Sequence, residues 1–397
     1  MKKKGRDIRE LVALIKSAAE EAANFQNRFA AEDVEARKIV TVMEQYLRER
    51  SRIVYGGAAI NAYMSPKTKF YDPRLYLPDY DFMTPDPLQD CADLIADFQR
   101  EGFQEVEAKL GIHEGTYKIF VNYRPAADIT YMPPSVYETT LADSVVIDGI
   151  RYASPDFLRM NMYLELSRPQ GNLLRWTKVY ERLLLLNRQH PMKVGRCGAW
   201  TPTDKQSKSA DTNIIDIGVQ QGAIFLSGAS QHINGSPDPN DVQLMVSTDA
   251  PTLVSLLSTL GLKAQRFEAL GELVPARTEL KKGRKLVAVV FESVACDAYV
   301  TLGGRRVGSL DLLIHMYYGM HFAGLTQYVP MRLACVIHEL IELESSRRAA
   351  ATSHHAVFPL ECAGHQPQMP ELKRAHRKRV NEKRDELARI LGDKRDK

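Results

Sequence analysis

The sequence predicts an α+β fold in which one mixed module, a sheet packed with helices, occurs twice in tandem. Three observations carry this. Stretches with apolar residues at helical spacing alternate with short stretches of strand length and pattern. A segment near residue 150 recurs near residue 305. The chain has 397 residues, of which 44% are hydrophobic and 26% charged, a globular balance and a length for two or three domains.

The same numbers exclude collagen-like and wholly disordered chains. The longest apolar runs, such as Leu183–Leu186 and Leu286–Phe291, fall far short of the roughly 20 residues that span a bilayer, so no membrane association is expected. Lys2, Lys3 and Lys4 lead into an amphipathic pattern without the apolar core of a secretion signal. The five cysteines, Cys91, Cys197, Cys296, Cys335 and Cys362, lie far apart and form no CxxC. Unpaired thiols in a reducing compartment are the expectation. The net charge is +4, but the stretch from Glu371 to Lys397 alone carries +5, so the basic excess is a tail. A tail of this kind suits either a solvated helix or a phosphate-attracting arm.

Asp7 and Glu10 form a helix entrance, followed by Ile8, Leu11, Val12 and Ile15 at helical spacing. A second helix is expected from about Ala31 to Arg50. Arg52 to Tyr55 reads as a buried strand ended by Gly56-Gly57, with a helix starting over Ala58–Tyr63. Three prolines make Met64–Pro78 a loop. Asp79–Met83 reads as a strand with both carboxylates on one face and Tyr80 and Phe82 on the other. A helix over Leu88–Arg100 precedes three strands, near 103–108, 117–122 and 127–131. Val145–Ala153 reads as a hairpin turning at Asp148-Gly149. Ser154-Pro155 opens the helix 156–167, and another covers 172–187. The polar stretch 191–213 reads as a linker and 347–370 as irregular. The expected organisation is therefore a helical segment over 1–50, a first module over 51–190, a linker over 191–213, a degenerate second module over 214–346, and an irregular stretch with the basic tail over 347–397.

The repeat is a shared G-x-R-x-x-S-x-D-x-L at an offset of 155, from Gly149 to Leu158 and from Gly304 to Leu313. Upstream, Tyr55–Ala59 resembles Leu226–Ser230, Pro78–Met83 resembles Asn240–Met245, and Ala127–Ile129 resembles Cys296–Ala298. Four features in one order indicate a duplication.

Asp79, Asp81 and Asp128 are the chemical signal. Gathered in one place, three carboxylates repel one another by about 1–4 kcal/mol per close pair. Two magnesium ions bridged by them would remove that cost and suit nucleotidyl transfer. D-x-D alone is a weak motif. Preceded by a strand, Gly-Gly and a helix, whose N-terminus offers amide donors to a triphosphate, it is much stronger.

These residues resemble the nucleotidyltransferases of the DNA-polymerase-β type. Val54–Asn61, Pro78–Phe82, Ala127–Thr130 and the helix Trp176–Leu183 are similar to the branch formed by the poly(A) polymerase catalytic subunits of large nucleocytoplasmic DNA viruses. The gap between Gly57 and Asp79 is longer than is usual in the wider superfamily. The resemblance implies two nucleotidyltransferase-like modules, the second degenerate, and addition of AMP from ATP to RNA 3′ ends with release of pyrophosphate. It implies two Mg2+ ions, or Mn2+, with Asp79 and Asp81 holding both and Asp128 holding the catalytic one and activating the primer 3′ hydroxyl. Gly56 and Gly57 would contact phosphates, with Asn61 in the same set. Lys178 and Arg182, four apart on one helix face, would clamp the triphosphate. Their other reading is a solvated basic face. Ser154 would be a nucleotide contact or a helix cap, and Asn161 a base or ribose contact. A homodimer or a processivity subunit, and a place in the virion and host cytoplasm, come from the resemblance alone. The triad also serves CCA-adding enzymes and oligoadenylate synthases, and the fold also suits a non-catalytic RNA-binding protein.

The second module places Gln243 where Asp81 stands, Ser227-Gly228 where Gly-Gly stands, and Asp241 and Asp297 at the outer carboxylates. With a neutral amide as the middle ligand it is expected to be catalytically dead.

Overall fold

A computed structural model describes residues 8–72, 77–195, 197, 212–227, 229, 232, 242–328, 333–353 and 358–384. These divide into two compact units. The described residues within 1–130, 146–152 and 380–397 form one, and those within 131–145 and 153–379 form the other.

In the first unit, helices α1 (Ile8–Glu32) and α2 (Val34–Arg50) lead into β1 (Ile53–Tyr55). Asp33 starts α2 by accepting the Ala36 N–H at 3.0 Å. β1 runs directly into α3 (Gly56–Tyr63). After the loop come β2 (Tyr80–Thr84), α4 (Pro87–Arg100), β3 (Val106–Leu110), β4 (Thr116–Val121) and β5 (Arg124–Tyr131). In the chain, helix α5 (Pro134–Asp143), which belongs to the second unit and has no counterpart among the elements expected from the sequence, precedes the hairpin β6 (Val145–Ile147) and β7 (Ile150–Tyr152). Its turn falls at Asp148-Gly149, both with positive φ, as the dipeptide predicts. The sheet order is β3-β4-β5-β2-β1-β7-β6, which sets β5 beside β2.

The two faces of this sheet are decided by alternation. Phe82 is fully buried, its ring 6.1 Å from that of Tyr46 on α2, and α4 buries Cys91, Leu94 and Phe98. On β4, Tyr117, Ile119 and Val121 are buried while Thr116, Lys118 and Phe120 are half-exposed. The helix-covered face therefore takes Phe82 and Ile119, and the opposite face takes Asp81 and Lys118.

In the second unit, α6 (Pro155–Leu166) and α7 (Trp176–Gln189) precede a second sheet. It is built from β8 (Ile224–Phe225), β9 (Gln243–Ser247), β10 (Lys263–Phe267), β11 (Arg277–Lys282), β12 (Lys285–Glu292), β13 (Asp297–Leu302), β14 (Arg305–Gly308) and β15 (Cys362–Ala363). Its order is β10-β11-β12-β9-β8-β14-β13-β15, repeating that of the first sheet with one strand added at an edge. Helices α8 (Thr212–Gln220) and α9 (Ala250–Ser258) pack on one face through Ile214, Met245, Leu253, Leu257 and Leu280. Helices α10 (Leu310–Phe322), α11 (Leu333–Ala350) and α12 (Met369–Glu382) follow. Ser309 caps α10 as Ser154 caps α6, each hydroxyl accepting a backbone N–H three residues on.

The duplication stands, but the residue correspondence differs from the one the sequence suggests. Asp86 and Asp249 cap α4 and α9 alike, and each donates its own N–H to a hydroxyl two residues back, Thr84 at 3.1 Å and Ser247 at 3.2 Å. Counting back from this shared cap, Phe82 answers to Met245, Asp81 to Leu244 and Asp79 to Val242. Strand pairing agrees: Val54 faces Phe82 and Tyr152, and Phe225 faces Met245 and Val307. One bulge interrupts β4–β5 after Ile119, and one interrupts β11–β12 after Leu280. Aligned on the bulges, Lys118 answers to Glu279 and Asp128 to Val289. Gln243 thus stands in Tyr80's place. Asp297 opens β13, the counterpart of β6, and Asp241 lies outside the described residues. A slip of one residue exchanges the faces of a strand, so matching Met83 with Met245 by identity reversed the side-chain directions. All three carboxylate positions of the second sheet are apolar and buried, and Phe291 and Tyr328 fill the same face with rings 6.3 Å apart. The second module has buried apolar residues where the first has partly exposed carboxylates.

The expectation of unpaired thiols fails for four cysteines. Cys197 joins Cys335, and Cys296 joins Cys362, the latter clipping β15 onto β13. Separations of 138 and 66 residues give no local signal of either pairing. Cys91 is free and buried, and burial pushes its thiol up to about 12.

Candidate active site

The end of β1 builds the floor of the site. Tyr55 pairs with Asp81 across the two strands, and the next residue, Gly56, turns the chain into α3 with φ +68°. Only glycine adopts that conformation at no cost. A second constraint acts at the same atom, because a Cβ on Gly56 would lie 2.6 Å from Asp81 Oδ2. The Asp81 carboxylate therefore rests against bare backbone. Gly57 is in the first turn of α3, whose N-cap, Tyr55, makes no side-chain capping bond. The first-turn N–H groups of such a helix suit an anion.

Asp79 lies one residue before β2, and Asp81 lies within it. Asp128 is on β5, the neighbouring strand. Asp79 and Asp128 feel each other: partial removal from water raises the Asp79 carboxyl above its usual value, the Asp128 charge raises it further, and Lys118 pulls it back. Lys118 is directly opposite Asp128 in the β4–β5 register, and its ammonium pairs with Asp128 Oδ2. Beside them, Thr130 hydrogen-bonds the Tyr55 hydroxyl at 2.9 Å and lies 3.4 Å from the Thr116 hydroxyl. The sheet face thus presents three carboxylates, one ammonium and a short ladder of hydroxyls.

Among the described residues, no three His, Cys, Asp or Glu side chains converge into a ready ligand set for one ion. The donor chemistry nevertheless fits a hard divalent cation. All three acids offer carboxylate oxygens, and the Asp79–Asp128 repulsion is a cost that a cation between them would remove.

The remaining expected site residues are placed as follows. Asn61 Oδ1 accepts the N–H groups of Phe70 at 3.0 Å and Tyr71 at 3.1 Å, so this side chain ties down the loop before β2. Ser154 Oγ accepts the Phe157 N–H at 3.3 Å, which makes it the helix cap. Asn161 is half-buried on α6; Lys178 is exposed and Arg182 half-buried on α7. Ser154, Asn161, Lys178 and Arg182 belong to the second compact unit, and the three aspartates to the first. Sequence reasoning missed Lys118, Tyr55 and Thr130. The alternation of Tyr117, Ile119 and Val121 already turns Lys118 away from the core, but its partner depends on cross-strand register.

Comparison with known proteins bears out the resemblance carried by these motifs. Residues 41–172 match the family model described as "Poly(A) polymerase catalytic subunit". That stretch contains Gly56, Gly57, Asp79, Asp81 and Asp128 but stops short of Lys178. A protein of Acanthamoeba polyphaga mimivirus is 35% identical over 163 residues, covering 40% of this chain and 27% of that protein. One from African swine fever virus (isolate Tick/Malawi/Lil 20-1/1983) is 25% identical over 170 residues, covering 41% and 35%. Both carry the name "Putative poly(A) polymerase catalytic subunit". The matched stretch spans about a third or less of these relatives' own length. The crystal structure of the Megavirus polyadenylate synthase superposes with a TM-score of 0.80 at 19% identity, covering 97% of this chain and 86% of that one. The fold is therefore shared along nearly the whole chain.

Proposed function

We propose that this chain is a template-independent polynucleotide adenylyltransferase, extending RNA 3′ ends with AMP from ATP. The observation that carries the reading is the coincidence of two findings. Residues 41–172 resemble poly(A) polymerase catalytic subunits, and within them Asp79, Asp81 and Asp128 line one open sheet face beside the glycine turn. In the second sheet the equivalent positions are Val242, Leu244 and Val289, all buried. Carboxylates against the solvent in one copy and a closed core in the other is the pattern of one working site.

In this reading the RNA 3′ oxygen attacks the α-phosphorus of ATP, its proton is lost, and the bond to the β-phosphate oxygen breaks to release pyrophosphate. Asp79 and Asp81 would hold both divalent cations, and Asp128 the one on the primer side. Such cations supply positive charge to the triphosphate and to the attacking oxygen. Gly56 keeps Asp81 turned toward the site, and the N–H groups of the first turn of α3 receive phosphate oxygens. Asp128 also helps take up the hydroxyl proton. Lys178 and Arg182 enter through the resemblance as triphosphate contacts.

The test is extension of a short labelled RNA with magnesium and each NTP separately, by wild type and Asp81→Ala. A ladder with ATP alone, lost in the variant, is the expected result. A single short addition using CTP, or 2′-linked oligomers made without primer, would replace the assignment with another nucleotidyltransferase. An Asp81→Ala rate within tenfold of wild type would refute it.

A further inference from the structure

We propose that Lys118 is a displaceable counter-ion for Asp128, a positioning residue that sets how strongly the site takes up divalent cations. The inference rests on reading Asp79, Asp81 and Asp128 as a divalent-cation site.

Four observations lead to it. Lys118 and Asp128 are opposite each other on β4 and β5, and the ammonium touches one carboxylate oxygen. The Asp79 carboxyl is pushed up mainly by partial burial and further by the Asp128 charge, and Lys118 pulls it down, so this ammonium opposes the repulsion within the triad. The two side chains remain 37% and 24% accessible, so water can replace either partner. In the second sheet both members are gone together: Glu279 stands at the lysine position and Val289 at the aspartate position. There Glu279 is bonded to the Tyr328 hydroxyl at 2.8 Å in the core.

A lysine is suited to such a role. Its ammonium is a point charge on a flexible stem, able to leave a carboxylate without disturbing the strand. A partly exposed pair is weak, so a divalent cation can displace it. When the cation takes Asp128, the released ammonium swings into solvent on the same face. Without Lys118, Asp128 would be bare. Cations would then bind more tightly, and the cation-free protein would carry the full triad repulsion.

The experiment is Mn2+ titration by calorimetry, without ATP or RNA, on wild type, Lys118→Met, Lys118→Arg and Asp81→Asn. Lys118→Met is expected to bind Mn2+ about threefold to tenfold more tightly, and Lys118→Arg within twofold of wild type. Unchanged or weaker binding in Lys118→Met overturns the proposal. Failure of wild type to bind Mn2+ differently from Asp81→Asn overturns instead the underlying site reading. A measurement on wild type covers the case in which the variant does not fold. Acetylation of Lys118 by an amine-reactive ester, read by mass spectrometry, should rise several-fold when Mg2+ replaces EDTA. It should not rise in Asp128→Asn. Equal labelling with and without Mg2+ in wild type overturns the proposal.

Discussion

Gly56 carries two constraints at once, and a paired substitution separates them. Gly56→Ala forces an L residue to φ +68° and places a Cβ 2.6 Å from Asp81 Oδ2. Gly102→Ala meets φ +91° at the end of α4 with no atom within 4 Å of the new methyl. The backbone part of the cost is common to both, about 1–2 kcal/mol. At Gly56 the obstacle is the far end of a side chain. Moving Asp81 Oδ2 from 2.6 Å to an ordinary contact of 3.4 Å is a shift of about 0.8 Å, made by rotating the carboxylate. The added stability cost is therefore small and the functional cost large. Displacing a reacting group by about 1 Å can cost on the order of 10²-fold in rate. Both variants should lose similar stability in urea titrations. In primer extension Gly102→Ala should keep wild-type turnover, while Gly56→Ala falls at least about 10²-fold. Gly56→Ala turning over within fivefold of wild type, with the stability loss of Gly102→Ala, would refute the placement of Asp81.

Two further outcomes follow from the second unit. Asp297 is buried, and burial raises its carboxyl from 3.8 to about 6 against the pull of Arg168 and Ser293. A raised carboxyl favours the folded state at low pH, and the advantage is lost as pH climbs through 6. Asp297→Asn should therefore match wild type near pH 4 and exceed it by about 3 kcal/mol at pH 8; urea titrations at the two pH values check this, and an equal difference at both refutes the burial of an ionising group there. The Cys296–Cys362 bond closes 66 residues. Cys362→Ser should cost about 4 kcal/mol of unfolding free energy, with a non-reducing peptide map showing the Cys296–Cys362 fragment in wild type; absence of that fragment overturns the pairing.

Much of the first module was legible because its signals are local. The Ser154 cap acts over three residues, and the Asp148-Gly149 turn acts over two. The spacing of Asp79 and Asp81 sets their shared face by strand alternation alone. Helix α5 was missed because Pro134–Asp143 has almost no apolar stripe, burying only Val136, Tyr137 and Thr140. The bonds from the Phe70 and Tyr71 N–H groups to Asn61 Oδ1 were not legible, because they join residues nine and ten apart across a loop.

By itself, then, the sequence determined the fold class, the duplication, the three carboxylates and the glycine turn, since each depends on residue type at short range. The tertiary structure alone decided the partner of Asp128, the apolar fate of all three positions in the second sheet, and the two disulfides. These rest on strand register, bulge position and chain crossings over tens of residues. Such quantities follow from which apolar faces the whole chain buries together, and no short window of residues contains them.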